Sequence, residues 1–126
     1  MTLSNRNKDH AMLGIEYPDG VIETIYIHEN VNPKNISVFL EKKDFEQMLS
    51  VIRDGDIREI ENSYVYKFID DPLESPEDCE SVKFLDEKET VKFFKSSVCR
   101  YFYLMRWKNE EWFYIDKNQK MEWKKL

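Results

Sequence analysis

Few residues of this 126-residue chain have the types and spacing that chemistry requires. A general base needs an orienting partner and a nucleophile or substrate proton within hydrogen-bond reach. His28 beside Glu29, at the end of a strand-like run, comes nearest to a base with its orienter, but no nucleophile is predicted close by. The other histidine, His10, lies in a polar lead-in over residues 1–10 that reads as frayed. Cys79 and Cys99 form no CxxC and meet no paired histidines, which excludes zinc, since zinc needs three or four close ligands. The two thiols are either both reduced or joined in a disulfide, and a cytosolic chain favours the reduced pair. There is no glycine-rich phosphate loop, no HExxH and no GxSxG. These absences predict a protein that is not an enzyme and binds no metal or cofactor.

Two further features are suited to binding. Asp70, Asp71, Glu74, Glu77, Asp78 and Glu80 fall in "DDPLESPEDCES", residues 70–81, which holds two prolines and no basic residue. That composition predicts a loop. It lacks the glycine turn and stepped oxygens of a calcium site. The acids are either a solvated surface or a stiffened arm for a basic groove. The second feature is "RYFYLMRWKNEEWFYIDK", residues 100–117, with seven aromatic residues. A turn at Asn109 and Glu110 would set Trp107 opposite Trp112, Met105 opposite Tyr114 and Tyr103 opposite Asp116. One face then carries Phe102, Leu104, Phe113 and Ile115 and is expected to be the drier, core face. The other carries Tyr101, Tyr103, Trp107, Trp112 and Tyr114, amphipathic side chains suited to half-exposure. That row is either packing or a partner surface. Stacking on nucleic-acid bases is not expected: the run has no glycine, and Arg100 and Arg106 fall on the Phe/Leu side.

The elements that would position these residues are legible. "AMLGIEYPDGVIETIYIH" reads as a hairpin, with strands near 11–17 and 21–28 around Pro18-Asp19-Gly20. In its second strand Ile22, Thr24, Tyr26 and His28 share one face; Val21, Glu23, Ile25 and Ile27 share the other. Two short helices follow, the first capped by Asn32 with Pro33 at its start, the second capped by Asp44 and stopped at Gly55. Ile36, Phe39, Leu40, Phe45, Met48, Leu49 and Ile52 give their apolar stripe. A strand over 63–69 precedes the acidic run. A third helix opens at Asp86 with Glu89 three residues on, a capping-box arrangement, and turns Val91 and Phe94 inward. The hairpin 98–107 and 111–117 closes the chain, and "MEWKKL" can add a short edge strand. The order ββ–α(α)–β–α–ββ predicts one α+β domain over residues 1–126. It would be a single antiparallel sheet of about five strands with helices packed on one face.

Composition sets the outer bounds. With 41% hydrophobic and 35% charged residues, the chain can bury a core and stay soluble. No apolar stretch reaches the ~20 residues of a membrane span. The opening "MTLSNRNKDHAML" lacks an apolar signal region, which predicts a cytoplasmic protein. The net charge of −6 is uneven: residues 1–82 hold eight Lys/Arg and eighteen Asp/Glu, residues 83–126 eleven and seven. The chain is either dipolar enough to steer a charged partner or simply solvated. An acidic total argues against direct nucleic-acid binding.

The chain also resembles a family of small proteins of phages and mobile elements. That family's pattern is a turn-bearing first hairpin, then I-Y-C-H-W-D-G-Y-P, a helix pair ending in L-G-D-I, and a closing Y-x-Y-L-F…W-Y-x-Y hairpin. The matches are Asp19, Gly20, Ile25, Tyr26, His28 and Pro33; Gly55, Asp56 and Ile57; and Tyr101, Tyr103, Leu104, Trp112 and Tyr114. Ile27, Glu29, Asn30, Val31 and Asn32 depart from it. The resemblance spans nearly the whole chain and implies a phage or mobile-element origin, without a settled activity. With the acidic charge it suggests a protein that blocks a host defence factor, such as a CRISPR nuclease, by occupying a basic surface. The alternatives are a nucleotide-sequestering protein with Trp and Tyr stacking at an oligomer interface, and a structural or regulatory accessory of the element.

Overall fold

A computed structural model describes residues 9–61, 64–67 and 80–126. The elements in order are β1 (Ala11–Glu16), β2 (Ile22–Glu29), α1 (Pro33–Leu40), α2 (Phe45–Arg53), β3 (Ile57–Glu61), β4 (Tyr64–Lys67), β5 (Val82–Phe84), α3 (Glu87–Ser96), β6 (Tyr101–Met105), β7 (Trp112–Asp116) and β8 (Lys124–Lys125). The class is α+β, as the sequence predicts, but the sheet has eight strands rather than about five. Its order is β4-β3-β2-β1-β6-β7-β8, with β5 joined to β2. It is also mixed. Both hairpins belong to it, but β1 meets β6 in parallel, with Leu13 opposite Tyr103, and β2 meets β3 in parallel.

Local chemistry sets the helix starts. Asn32 accepts from the Asn35 backbone N–H, with Pro33 at the first turn. Asp44 and Gln47 form the full capping box, each side chain taking the other's backbone N–H at 2.9 Å. At α3 Asp86 accepts from the Glu89 N–H, the first half of the expected box. Gly55 adopts φ 90°, the left-handed turn that ends α2.

Helices cover both faces of the sheet, which corrects the one-sided expectation. Leu13, Ile15, Ile27, Tyr103 and Met105 pack with Ile36 and Leu40 of α1 and with Met48 and Ile52 of α2. Met12, Ile22, Phe102, Leu104 and Ile115 pack with Phe94 of α3. Gly14, on the α3 face, keeps that layer close: a Cβ there would stand 3.1 Å from Thr24 Cγ2 and 3.3 Å from Phe102 Cε1.

The closing hairpin is registered two residues away from the expected pairing. Met105 faces Trp112, Tyr103 faces Tyr114 and Tyr101 faces Asp116, and residues 106–111 form a wider turn with Glu110 at φ 53°. A shift of two preserves the face of every side chain. The face partition therefore holds, but the contrast in burial does not. Tyr103 is 0% exposed, like Phe102 and Leu104, while Phe113 is only half-buried. The buried phenol is satisfied by donating to the Val31 carbonyl at 2.5 Å.

Candidate functional site

The outer edge of β2 is shared between two strands. β5 pairs antiparallel along Ile22–Thr24, and β3 pairs parallel at Ile27 and Glu29. Between them, at Ile25 and Tyr26, the edge forks. The Asp56 carboxylate fills in for a missing strand there, accepting the Tyr26 backbone N–H at 2.8 Å. A cavity of ≈ 290 Å³ opens at this fork, on the α3 face. Met12, Thr24, Tyr26, Ser97 and Cys99 line it, with Asp56 and Glu80. Its rim is apolar and open to solvent: Val82 is 51% exposed, Phe93 50% and Val98 77%. Isolated exposed apolar side chains are ordinary, but here three stand around one concavity.

A buried carboxylate fixes one arm of the fork. Glu23, opposite Lys83 of β5, is 3% exposed and accepts from the Tyr17 hydroxyl and the Ser81 hydroxyl, each at 2.5 Å. Burial pushes its carboxyl up, but these bonds, with Lys83 and Arg53 nearby, prevail and hold it below the usual range. β5 is thereby tied down despite its three residues.

The functional groups of the cavity are neutral donors beside carboxylates. Burial, chiefly, raises the Tyr26 phenol to about 12, with the Cys99 and Asp56 charges adding to it. Burial also raises the Cys99 thiol, against the opposing pull of Ser97 and Lys117. A thiol held protonated is a poor nucleophile. In a Cys79→Ser variant, iodoacetamide should therefore alkylate Cys99 more slowly than free cysteine at neutral pH. Full reactivity should return on unfolding in urea, and labelling as fast as free cysteine in the folded protein would show an activated thiolate.

The residues singled out in the sequence are distributed unevenly. Asp70, Asp71, Glu74, Glu77 and Asp78 lie outside the described residues, as does Cys79; Glu80 is exposed at the fork cavity. Tyr101, Tyr103 and Trp112 are buried under α1 and α2 and cannot form a partner surface, which corrects that expectation. They pack because both faces of the sheet are covered. Trp107 remains 43% exposed and meets Phe45 edge-to-face at 5.0 Å; Tyr114 is half-buried against Tyr103. A nucleotide-stacking platform on that row would be left with Trp107 and Tyr114 alone.

His28 and Glu29 leave β2 on opposite faces, as neighbours in a strand must. Nδ1 of His28 lies 2.8 Å from the Tyr26 hydroxyl rather than beside Glu29. His10, expected in a frayed lead-in, stacks on His28 at 4.8 Å and donates from Nδ1 to the His28 carbonyl at 2.7 Å. Among the described residues no group of three His, Cys, Asp or Glu side chains converges to hold a metal. No helix there is long and apolar enough to cross a membrane.

Glu23 and the Phe93–Cys99 corner carry no local motif, and Asp56 stands out only within Gly55-Asp56-Ile57, which does not point to them. Only the long-range pairing of β2 with β3 and β5 brings them together. The chain finds no match among family models, curated proteins or solved structures.

Proposed function

We propose that this protein is a non-catalytic binding protein of a phage or mobile element that inhibits a host defence factor by protein–protein contact. The fork cavity and its rim would be the contact, seated on a basic surface of a defence nuclease or complex in the host cytoplasm. The observation that carries this reading is the ring of Val82, Phe93 and Val98, exposed around a cavity lined by Asp56 and Glu80. An apolar anchor with charge at its margin is the anatomy of a protein contact, the apolar part giving affinity and the margin the encounter rate. The cavity's protonated thiol and phenol suit hydrogen bonding better than attack. The acids of residues 70–78 extend the same sign of charge along the chain. The resemblance to phage and mobile-element proteins supplies the biological setting.

The test is plating of phage on bacteria that carry a restriction or CRISPR nuclease, with and without the expressed protein. The wild type should raise plating efficiency against at least one such system. Val98→Asp and Phe93→Asp should abolish the rise while leaving the circular-dichroism spectrum intact, since both side chains are already exposed. Against the purified nuclease of the host on which plating rises, each should weaken affinity by about 30-fold, the scale of an interface hot spot. Glu80→Gln should chiefly slow association and reduce its salt dependence. No rise on any such host, or undiminished inhibition by both aspartate variants, would overturn the reading.

A further inference from the structure

We infer that the groove on the opposite side of α3 is a second docking site, which takes an acidic peptide segment bearing apolar anchor side chains. This inference is independent of the fork. The groove has a volume of ≈ 640 Å³ between α3 and the C-terminal segment. Its base is apolar, made by Val91, Ile115, Met121 and Trp123. Along its α3 side run Lys88, Lys92 and Lys95, whose spacing of four and three residues sets them in one stripe of the helix. All three are exposed, and among the described residues none has a carboxylate within ion-pair distance.

Glu87, the one acid lining this groove, is already matched. It accepts from Arg106 Nη1 at 2.5 Å and from Trp123 Nε1 at 2.8 Å. The Arg106 hydrogen bond, against the opposing effect of burial, holds its carboxyl below the usual range. The groove is therefore locally positive on a protein of net charge −6. It is also pre-formed. Besides its bond to Glu87, Trp123 is held by the Arg106 guanidinium 4.9 Å over its ring and by the Phe102 ring at 5.2 Å. A rigid apolar base costs a partner little ordering, and the lysine row favours anionic residues flanking its anchors.

The same features disfavour nucleic acid. Single strands bind on open aromatic faces, whereas Trp123 already meets Arg106 and Phe102.

The probe is a fluorescein-labelled twelve-residue peptide of leucine and glutamate in amphipathic helical order, followed by fluorescence polarisation. The wild-type protein should bind it saturably and more weakly as salt is raised, and should not bind the lysine counterpart of the peptide. Lys88→Glu with Lys92→Glu should weaken binding by about tenfold or more, the scale of reversing two partly screened charges. Val91→Asp should weaken it through the base of the groove. Because Val91 is half-buried, its unchanged melting temperature is checked first, and Met121→Asp, at an exposed position, is the second apolar variant. Val98→Asp, at the fork, should leave peptide binding unchanged. Equal binding of the acidic and basic peptides, or full affinity in the double lysine variant, would overturn the inference. So would displacement of the peptide by a single-stranded oligonucleotide or by phosphatidylserine vesicles at lower concentration than by unlabelled peptide.

Discussion

Replacing Tyr103 with alanine should destabilise the protein by about 3–5 kcal/mol, the range for removing a large aromatic side chain from a packed core. Tyr103 stands in β6, between β1 and β7 near the middle of the sheet, and is 0% exposed. Its ring stacks on Tyr101 and Tyr114, each at 5.8 Å, and packs in the layer formed by α1 and α2. Its hydroxyl reaches Val31, immediately ahead of the Asn32 cap of α1, and so ties the sheet to the start of that helix. Against a total stability of roughly 5–15 kcal/mol, this loss would bring the variant close to unfolding at physiological temperature. Tyr103→Phe separates the two contributions. It keeps the ring and removes the bond, so about 1–3 kcal/mol is expected, because the Val31 carbonyl stays buried. Urea unfolding followed by tryptophan fluorescence measures both. A Tyr103→Ala change below about 1 kcal/mol would mean that the α1/α2 layer is not packed on this face.

That side chain also shows where the sequence misleads. Alternation in "YFYLM" separates a phenol-bearing row from a Phe/Leu row, and the partition is correct. Alternation in side-chain kind does not imply alternation in exposure. All five residues of β6 and the first five of β1, "AMLGI", are buried. Neither stretch contains a charged residue, which is the mark of a strand covered on both faces. Tyrosine passes for a surface residue in such a run because its hydroxyl needs a partner, and here the Val31 carbonyl, just ahead of α1, provides one.

The missed strands have equally local causes. β3 buries Ile57 and Ile60, three residues apart, because an irregularity in its pairing with β4 breaks the period of two. β5 has three residues, too few to stand out in the sequence, and is held by its pairing with β2 and by the Ser81 bond to Glu23. By contrast the helix starts were legible, since a cap and its partner lie within one turn of each other. The fork was not. It joins residues 24–26, 56, 80–82 and 93–99, and no short-range pattern marks that union.

Asp116→Ala is the second substitution with a large expected cost, and it carries a pH signature. Asp116 ends β7 and is 4% exposed. Its carboxylate takes a two-pronged bond from Arg100, Nε to Oδ1 at 3.0 Å and Nη2 to Oδ2 at 3.1 Å, and a third from the Asn118 N–H at 3.0 Å. Arg100 also reaches Asp9, and its backbone N–H donates to His10, so this corner ties the β1 end of the sheet to the β6–β7 hairpin. Breaking a fully buried pair costs about 3–5 kcal/mol, because the remaining charge is stranded. The Arg100 side chain is 30% exposed and can rehydrate, so about 2 kcal/mol is the expected loss. Burial alone would push the Asp116 carboxyl up, but Arg100 and the Asn118 N–H prevail and hold it below the ordinary aspartate value. A carboxyl lowered by folding contributes its full stabilisation above the unfolded value of about 3.9. That contribution fades as the pH falls through the unfolded value towards the lower folded one, where both states are protonated. Wild-type stability should therefore decline on acidification below about pH 5. Asp116→Asn should start lower at neutral pH and decline less steeply over the same range. Glu23 and Glu87, also lowered, keep part of the slope in that variant. Urea midpoints measured from pH 7 down to about pH 3 would check this, and parallel curves for the two proteins would mean that the Arg100 pair contributes nothing pH-dependent to the fold.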